Sequence, residues 1–185
     1  MVKITYYLLF VITITLAVIT LGAYVRLSHA GLGCPDWPGC YGYLVGVPDN
    51  PLEITNAEKN FEGSSVDIGK AWKEMIHRYL AGALGISIFI ISLIFYKNNT
   101  HKLFKLSLLV SFLVIMQAAL GMFTVTLQLQ PIIVMMHLVG GLTLITLLWL
   151  LYLRNKINNY FIESKYLINT SLKKIKKLSS FVTLI

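Results

Sequence analysis

Charged residues are scarce in this chain. Asp, Glu, Lys and Arg together make up 13% of its 185 residues, whereas hydrophobic residues make up 56%. About a quarter of the residues of a soluble domain are charged, and the mean hydropathy of this chain is +0.71. The composition therefore excludes an ordinary soluble domain and indicates a membrane protein.

The chain instead contains long apolar runs. A helix needs about 20 apolar residues to cross the bilayer core, and four runs reach that length: residues 4–24, 75–96, 103–125 and 132–153. None of them alternates polar and apolar residues as a strand would, and lipid does not tolerate an open sheet edge. We therefore predict an all-α membrane protein, a four-transmembrane-helix bundle with an outer loop between helices 1 and 2.

Acidic residues are almost absent outside one segment. Seven of the eight lie in residues 25–74, whereas the link after the second span and the tail after the fourth are rich in lysine. Because basic residues favour the cytoplasmic side, we expect an integral protein of the bacterial inner membrane with both termini cytoplasmic and residues 25–74 outside. The net charge of +8 follows mostly from this bias, so we expect membrane lipid as a partner and no nucleic acid.

The ends of the apolar region suggest a division of the chain. The first apolar stretch is longer than the roughly 7–15 residues of a signal peptide, so we expect a retained span rather than a cleaved leader. We assign residues 1–154 to the transmembrane domain and residues 155–185 to a basic inner-side tail. The last residues of that tail, 178–185, resemble a truncated start of a fifth helix. Residues 47–70 are polar and are predicted to form a loop.

Cysteine is nearly absent, because Cys34 and Cys40 are the only two in the chain. They lie six residues apart in the predicted outer loop, on the side of the membrane where disulfides persist. Prolines and glycines around them favour a tight turn, so we expect their Cα atoms to be roughly 4.4–6.8 Å apart. A structural disulfide is the leading interpretation, and redox-active exchange and metal ligation are the alternatives.

Two histidines, His77 and His137, lie a few residues inside the starts of the second and fourth spans, which begin on the same predicted side. An ionisable side chain inside a membrane marks a candidate site, and neutral imidazole is a common metal ligand. We predict that the two rings flank one heme iron near the outer surface, with Nε2 atoms about 4–8 Å apart. The alternative is that each ring only hydrogen-bonds a neighbour.

Three charged residues accompany the histidines. Glu74 lies one helical turn before His77 and on the same helix face, where its carboxylate would move protons or stabilise positive charge during an oxidation. The alternative for Glu74 is a favourable interaction with the start of a helix. Arg26 and Arg78 lie near the outer interface, where they would pair with the two propionates of a heme or reach lipid headgroups.

An internal repeat relates the two histidines. A Leu-Gly pair occurs near the outer end of spans one and three (residues 21–22 and 120–121), and Met-x-His opens spans two and four (residues 75–77 and 135–137). A repeat about an axis along the membrane normal places the histidines on opposite sides of that axis. Four glycines on the histidine spans would admit a flat ring or allow close helix packing; they are Gly82, Gly85, Gly140 and Gly141.

Five segments resemble the heme A synthase family, in the family's order, over about residues 5–155. They read YVRLS at 24–28, GLGCPDWPGC at 31–40, EMIHRYLAG at 74–82, QAALGMFTVT at 117–126 and HLVGG at 137–141. The resemblance implies a membrane oxidoreductase of cytochrome c oxidase assembly that oxidises the C8 methyl group of heme O to the formyl group of heme A. It also implies heme O as substrate, heme b as cofactor and heme O synthase as a functional partner.

The resemblance also assigns residue roles. In the family, the glutamate matching Glu74 is the proposed catalytic carboxylate, the histidines matching His77 and His137 ligate heme, and the cysteines matching Cys34 and Cys40 can form a disulfide. Members have eight spans in two four-helix halves, and this chain resembles the amino-terminal half. We therefore expect either a homodimer or a missing carboxy-terminal half to complete it.

Two other functions stay open from the residues alone. One is a non-catalytic bis-histidine b-type heme carrier, and the other is a truncated, inactive half. Glu74 and the cysteine loop favour the enzyme, because plain electron carriage needs neither of them.

Overall fold

The long apolar runs form helices, as their hydropathy predicts. The computed structural model of the protein describes residues 2–182, and side chains within residues 4–173. Its helices are α1 (Val2–Leu27), α2 (Pro51–Asn60), α3 (Ile68–Lys97), α4 (His101–Thr126) and α5 (Pro131–Val182). Four of them, α1, α3, α4 and α5, are long and apolar enough to cross a membrane. The described residues contain no β-strand, so the prediction of an all-α protein is confirmed, as is that of four helices long and apolar enough to span a membrane.

The four long helices pack as a closed ring. α1 packs against α3 and α5, and α4 packs against the same two helices. α3 and α5 therefore lie diagonally across the bundle from each other, as do α1 and α4. α1 runs opposite to α3, because Tyr7 near the start of α1 bonds the Ser87 carbonyl while Gly22 near its end meets His77. α1 also runs opposite to α5, because Thr5 bonds Asn155 while Ile19 meets Gly141. The two histidine-bearing helices, α3 and α5, thus run the same way.

The apolar core fills the bundle on the side away from the histidines. Its fully buried members come from all four long helices: Leu8, Val11, Ile88, Ile91, Phe95, Val110, Leu148 and Leu151. Hydroxyl and amide groups add polar bonds between helices. Ser92 and Ser111 share a hydrogen bond of 2.9 Å between α3 and α4, and Asn155 donates to Thr5 at 3.0 Å between α5 and α1. Such bonds between spans stabilise a bundle where lipid offers no partner.

The polar loop predicted over residues 47–70 is wrong in part, because α2 forms within it. Asn50 caps α2 by accepting a hydrogen bond of 2.9 Å from the Glu53 N–H, and Pro51 occupies the first helical position. Both choices favour a helix start. Asp67 caps α3 in the same way at 3.0 Å, so α3 begins before the predicted residue 75. The hydrogen bond from the Lys70 N–H holds the pKa of Asp67 below its usual value.

α5 continues past the predicted end of the fourth span to Val182. A helix of 52 residues is about 78 Å long at the usual rise. The bilayer core is about 30 Å thick, so the later part of α5 lies beyond it. Residues 183–185 of the predicted tail lie outside the described residues, and the division at residue 154 stays a prediction.

The two helical hairpins differ in their connections at the histidine end. Residues 28–67, which include α2, connect α1 to α3, whereas residues 127–130 suffice to connect α4 to α5. The longer connection contacts the shorter one, since Gly31 lies against the Leu129 side chain. One hairpin therefore carries a folded cap and the other only a tight turn.

We predict that Asn50→Ala destabilises α2 by about 1 kcal/mol, because the first turn loses its side-chain cap. Native-state hydrogen exchange should show the Glu53 and Ile54 amides exchanging roughly fivefold faster. Asn56→Ala is the matched control in the same helix, and it should not speed exchange because alanine is the better helix former. Equal acceleration by both changes would contradict the capping role of Asn50.

Candidate functional site

A large cavity opens between the four long helices at the histidine end. Its volume is about 1070 Å³, and side chains from α1, α3, α4, α5 and the loop after α1 line it. Small-molecule sites range over roughly 300–1,000 Å³, so this cavity has room for a large ligand. Both His77 and His137 line it. Because α3 and α5 lie diagonally across the bundle, the two imidazoles approach one space from opposite walls.

Each histidine ring packs against a glycine of the neighbouring helix. A Cβ atom on Gly22 would lie 2.9 Å from Cε1 of His77 and 3.3 Å from its Nε2 atom. A Cβ atom on Gly121 would lie 3.6 Å from Cε1 of His137. The Leu-Gly and Met-x-His elements of the internal repeat therefore pack together in both hairpins. The fit is tighter around His77, where any side chain on Gly22 would displace the ring.

The inner ring nitrogens of the two histidines are enclosed. Nδ1 of His77 and Nδ1 of His137 are buried without a hydrogen-bonding partner among the described residues. A buried polar atom without a partner costs free energy, and native proteins rarely leave one so. No group of three or more His, Cys, Asp and Glu side chains within the described residues could hold a metal ion.

The four glycines expected to admit a flat ring divide into two kinds. Gly82 and Gly85 on α3 line the cavity, and no atom lies within 4 Å of a Cβ built on either. Gly140 instead receives the side-chain amide of Gln117, and Gly141, although it also lines the cavity, meets Ile19. The α3 glycines therefore leave open space for a ligand, whereas the α5 glycines serve helix packing. Gln117 itself is nearly buried and also lines the cavity.

Glu74 lies one helical turn before His77 and is only 4% exposed. One carboxylate oxygen, Oε2, accepts a hydrogen bond of 3.0 Å from the Cys34 N–H. The other, Oε1, pairs with the Arg78 guanidinium at 2.5 Å. A buried carboxylate is stable only when it is paired and hydrogen-bonded, and both conditions hold here. Glu74 also lines the cavity, so a carboxyl group and the two imidazoles share one space.

The two arginines expected at heme propionates differ in their surroundings. Arg26 is exposed and lines the cavity near its mouth. Arg78 also lines the cavity, but its Nη1 atom donates to the carbonyls of Asp36 at 2.9 Å and Pro38 at 3.3 Å, and to that of Gly39. Arg26 is therefore the more available cation of the two for an anionic group of a ligand.

Cys34 and Cys40 form a disulfide with a Cα–Cα distance of 4.8 Å, within the predicted range. Their sulfurs are therefore bonded to each other and are not thiolate ligands of a metal. The disulfide loop, residues 33–42, rests directly on α3, because a Cβ on Gly33 would lie 2.7 Å from the Lys70 carbonyl carbon. Burial raises the pKa of Tyr41 at the end of the loop.

Sequence reasoning did not single out Asp36, which organises the disulfide loop. Its carboxylate accepts the Tyr41 N–H at 2.6 Å and the Gly42 N–H at 2.8 Å. An aspartate that bonds the backbone a few residues on is a frequent device of turns, and the Asp-x-Pro-Gly order of residues 36–39 is the signal that would have indicated it. Tyr79 was also missed, and its hydroxyl accepts the Gly46 N–H at 2.8 Å.

Comparison with known proteins gives the family of the chain. Residues 5–185 match the COX15-CtaA family of cytochrome oxidase assembly proteins, and the chain belongs to that family. It is also similar to the heme A synthase of Shewanella oneidensis, with 49% identity over 154 residues. That alignment covers 83% of this chain and 46% of the relative. The chain therefore spans about half the length of the relative that it matches.

We predict that Gly22→Ala weakens heme binding, because the new methyl group would displace the His77 ring. Overpacking of this kind costs about 1–3 kcal/mol, so the affinity for iron protoporphyrin IX should fall by roughly 5- to 150-fold. Titration of the purified chain, followed by the absorption spectrum of bis-imidazole heme, measures it. Gly121→Ala is the matched change in the other hairpin, and its loss should be clearly smaller because 3.6 Å is an ordinary contact. A larger loss in Gly121→Ala would contradict the packing argument.

Proposed function

We propose that this chain is a heme A synthase-type oxidoreductase that oxidises the C8 methyl group of heme O to the formyl group of heme A for cytochrome c oxidase. The observation that carries the proposal is one cavity lined by two diagonal imidazoles and a buried carboxylate, Glu74. Membership of a family of cytochrome oxidase assembly proteins supports the same substrate class. An electron carrier would have no use for the carboxylate.

The residues of the cavity fit a heme. Axial ligation needs two imidazoles on opposite faces of a flat ring, and His77 and His137 lie on diagonal helices that line one space. The cavity volume of about 1070 Å³ accommodates a macrocycle, and the bare backbone at Gly82 and Gly85 leaves room for its face. We propose that His77 and His137 ligate the iron of the substrate, heme O, and that Arg26 pairs with a propionate.

Glu74 has the chemistry that oxidation of a methyl group requires. Conversion of a methyl to a formyl group with oxygen from water releases protons and electrons, so a nearby base helps the reaction. The carboxylate of Glu74 lines the cavity and lies on the face of α3 that carries His77. We propose that Glu74 accepts protons from the substrate or from the attacking water, and that it stabilises positive charge that develops at the reacting carbon.

The remaining parts of the proposal concern the whole protein. Heme b is the cofactor that we expect in the half of the family architecture that this chain does not span, and when bound it supplies electron transfer. That half would be a second copy of this chain or a carboxy-terminal continuation, and heme O synthase would supply the substrate. We propose the bacterial inner membrane as the location, with both termini cytoplasmic and the disulfide loop outside. Residues 1–154 would form the heme-binding domain.

Glu74→Gln tests the enzyme against the carrier. We predict that hydroxylated and formyl heme products fall roughly 100-fold or more, because a positioned acid–base group is lost. Heme binding should stay nearly intact, since the amide keeps the size of the side chain and lies outside the iron's coordination sphere. Pigments are extracted from membranes that contain heme O and this chain, with its second half supplied, and are separated by chromatography.

Glu62→Gln is the matched control, because Glu62 is exposed in the same connection between α1 and α3 and does not line the cavity. It should leave both products and binding unchanged. Normal product formation by Glu74→Gln would contradict the catalytic role of Glu74. Loss of bound heme in Glu74→Gln would assign Glu74 to the structure of the site instead.

A further inference from the structure

We infer that Arg78 is a positioning residue that fixes the Glu74 carboxylate and the disulfide loop against each other, rather than a partner of a heme propionate. The inference rests on the proposed function, because it gives Glu74 its orientation for the oxidation. From the sequence, we expect Arg26 and Arg78 to pair with the two propionates of a heme. On this inference, only Arg26 pairs with a propionate.

The hydrogen bonds of Arg78 carry the inference. Its Nη2 atom pairs with Oε1 of Glu74 at 2.5 Å, and the side chains of Arg78 and Glu74 are only 11% and 6% exposed. Its Nη1 atom donates to three carbonyls of the disulfide loop, those of Asp36, Pro38 and Gly39. Both terminal nitrogens of the guanidinium therefore have partners inside the protein. A propionate would have to displace one set of these partners.

The disulfide loop is shaped to receive this guanidinium. The Asp36 carboxylate accepts the Tyr41 and Gly42 N–H groups, which closes the loop and turns its carbonyls toward Arg78. The disulfide closes the same loop from its other side. These bonds make the three acceptors one rigid group, so Arg78 contacts a preformed surface rather than a mobile chain.

The disulfide loop is also hydrogen-bonded directly to Glu74. The Cys34 N–H donates to Oε2 of Glu74 at 3.0 Å, while Oε1 of Glu74 pairs with Arg78. Glu74, Arg78 and the disulfide loop are thus joined by a cyclic set of hydrogen bonds, in which each of the three is bonded to the other two. Both carboxylate oxygens are fixed, which sets the direction in which Glu74 faces the cavity.

Only an arginine can occupy this position. The guanidinium presents several donors in a planar fork, so it reaches a carboxylate on one side and carbonyls on the other. A lysine carries the same charge on a single nitrogen, and its three donors leave from one point, without the width of the planar fork. Arg78→Lys should therefore behave as a loss of position at constant charge, which separates this role from simple charge pairing.

The first test needs no heme. In the purified chain, we expect Arg78→Gln and Arg78→Lys to speed reduction of the Cys34–Cys40 disulfide by a dithiol roughly tenfold or more, because a hydrogen bond to a charged group is lost from the loop. Alkylation of the released thiols and mass spectrometry measure the rate. Arg26→Gln is the matched control and should reduce at the wild-type rate. Wild-type reduction rates in both Arg78 variants would overturn the inference.

The second test asks whether Arg78 binds a propionate. The chain is titrated with iron protoporphyrin IX and with its dimethyl ester, which lacks the propionate charges, and the ratio of the two affinities is compared. We expect Arg26→Gln to lower this preference for the free acid and Arg78→Gln to keep it within about twofold of wild type. A bis-imidazole spectrum in each variant shows that the bundle is folded. Loss of the preference in Arg78→Gln would overturn the inference.

The third test addresses position directly. In turnover of heme O, with the second half supplied, we expect Arg78→Lys to lower kcat roughly tenfold while KM stays within about twofold, since the loss is confined to the orientation of Glu74. An unchanged kcat would overturn the inference. A wild-type protein that binds heme and forms no oxidised product would contradict the proposed function instead, and the reduction rates would still decide the role of Arg78 in the loop.

Discussion

The arrangement of the site depends on one constraint, a carboxylate that is almost excluded from solvent beside a membrane cavity. A charge in such surroundings is stable only with a partner of opposite charge and with its oxygens hydrogen-bonded. Arg78 is the partner of opposite charge for Glu74, and the Cys34 N–H donates a hydrogen bond to its other oxygen. Arg78 in turn is held by loop carbonyls, and the loop is closed by Asp36 and the disulfide. The cap over the cavity therefore donates to one oxygen of Glu74 and holds the arginine that pairs with the other.

The bundle brings the two copies of the internal repeat to one cavity. The same two elements, a Leu-Gly pair and a histidine, pack together in each hairpin, at Gly22 with His77 and at Gly121 with His137. Because the hairpins pack side by side in a closed ring, the histidines come to diagonal helices. Neither hairpin alone would place two imidazoles on one space. The packing of one hairpin on the other is what creates the cavity.

The sequence predicted much of this because hydropathy and charge bias act over whole segments. The four spans, the diagonal histidines of the repeat and the close cysteine pair all follow from patterns of that kind. α2 was missed because a cap and a proline, Asn50 and Pro51, outweighed the polar composition of residues 47–70. The role of Arg78 was not predictable, because its acceptors are backbone carbonyls of residues 36–39, which have no side-chain signature and meet Arg78 only after the loop has folded onto α3.

The two hairpins differ in the length of their connections at the histidine end. Both supply a glycine and a ligand-type residue, but only the α1–α3 connection has the length to build a cap, whereas residues 127–130 form a bare turn. A substitution in the long connection therefore acts on the cap that holds the Glu74 carboxylate. A substitution in the short turn acts instead on the junction of α4 with α5 and on the contact of Leu129 with Gly31.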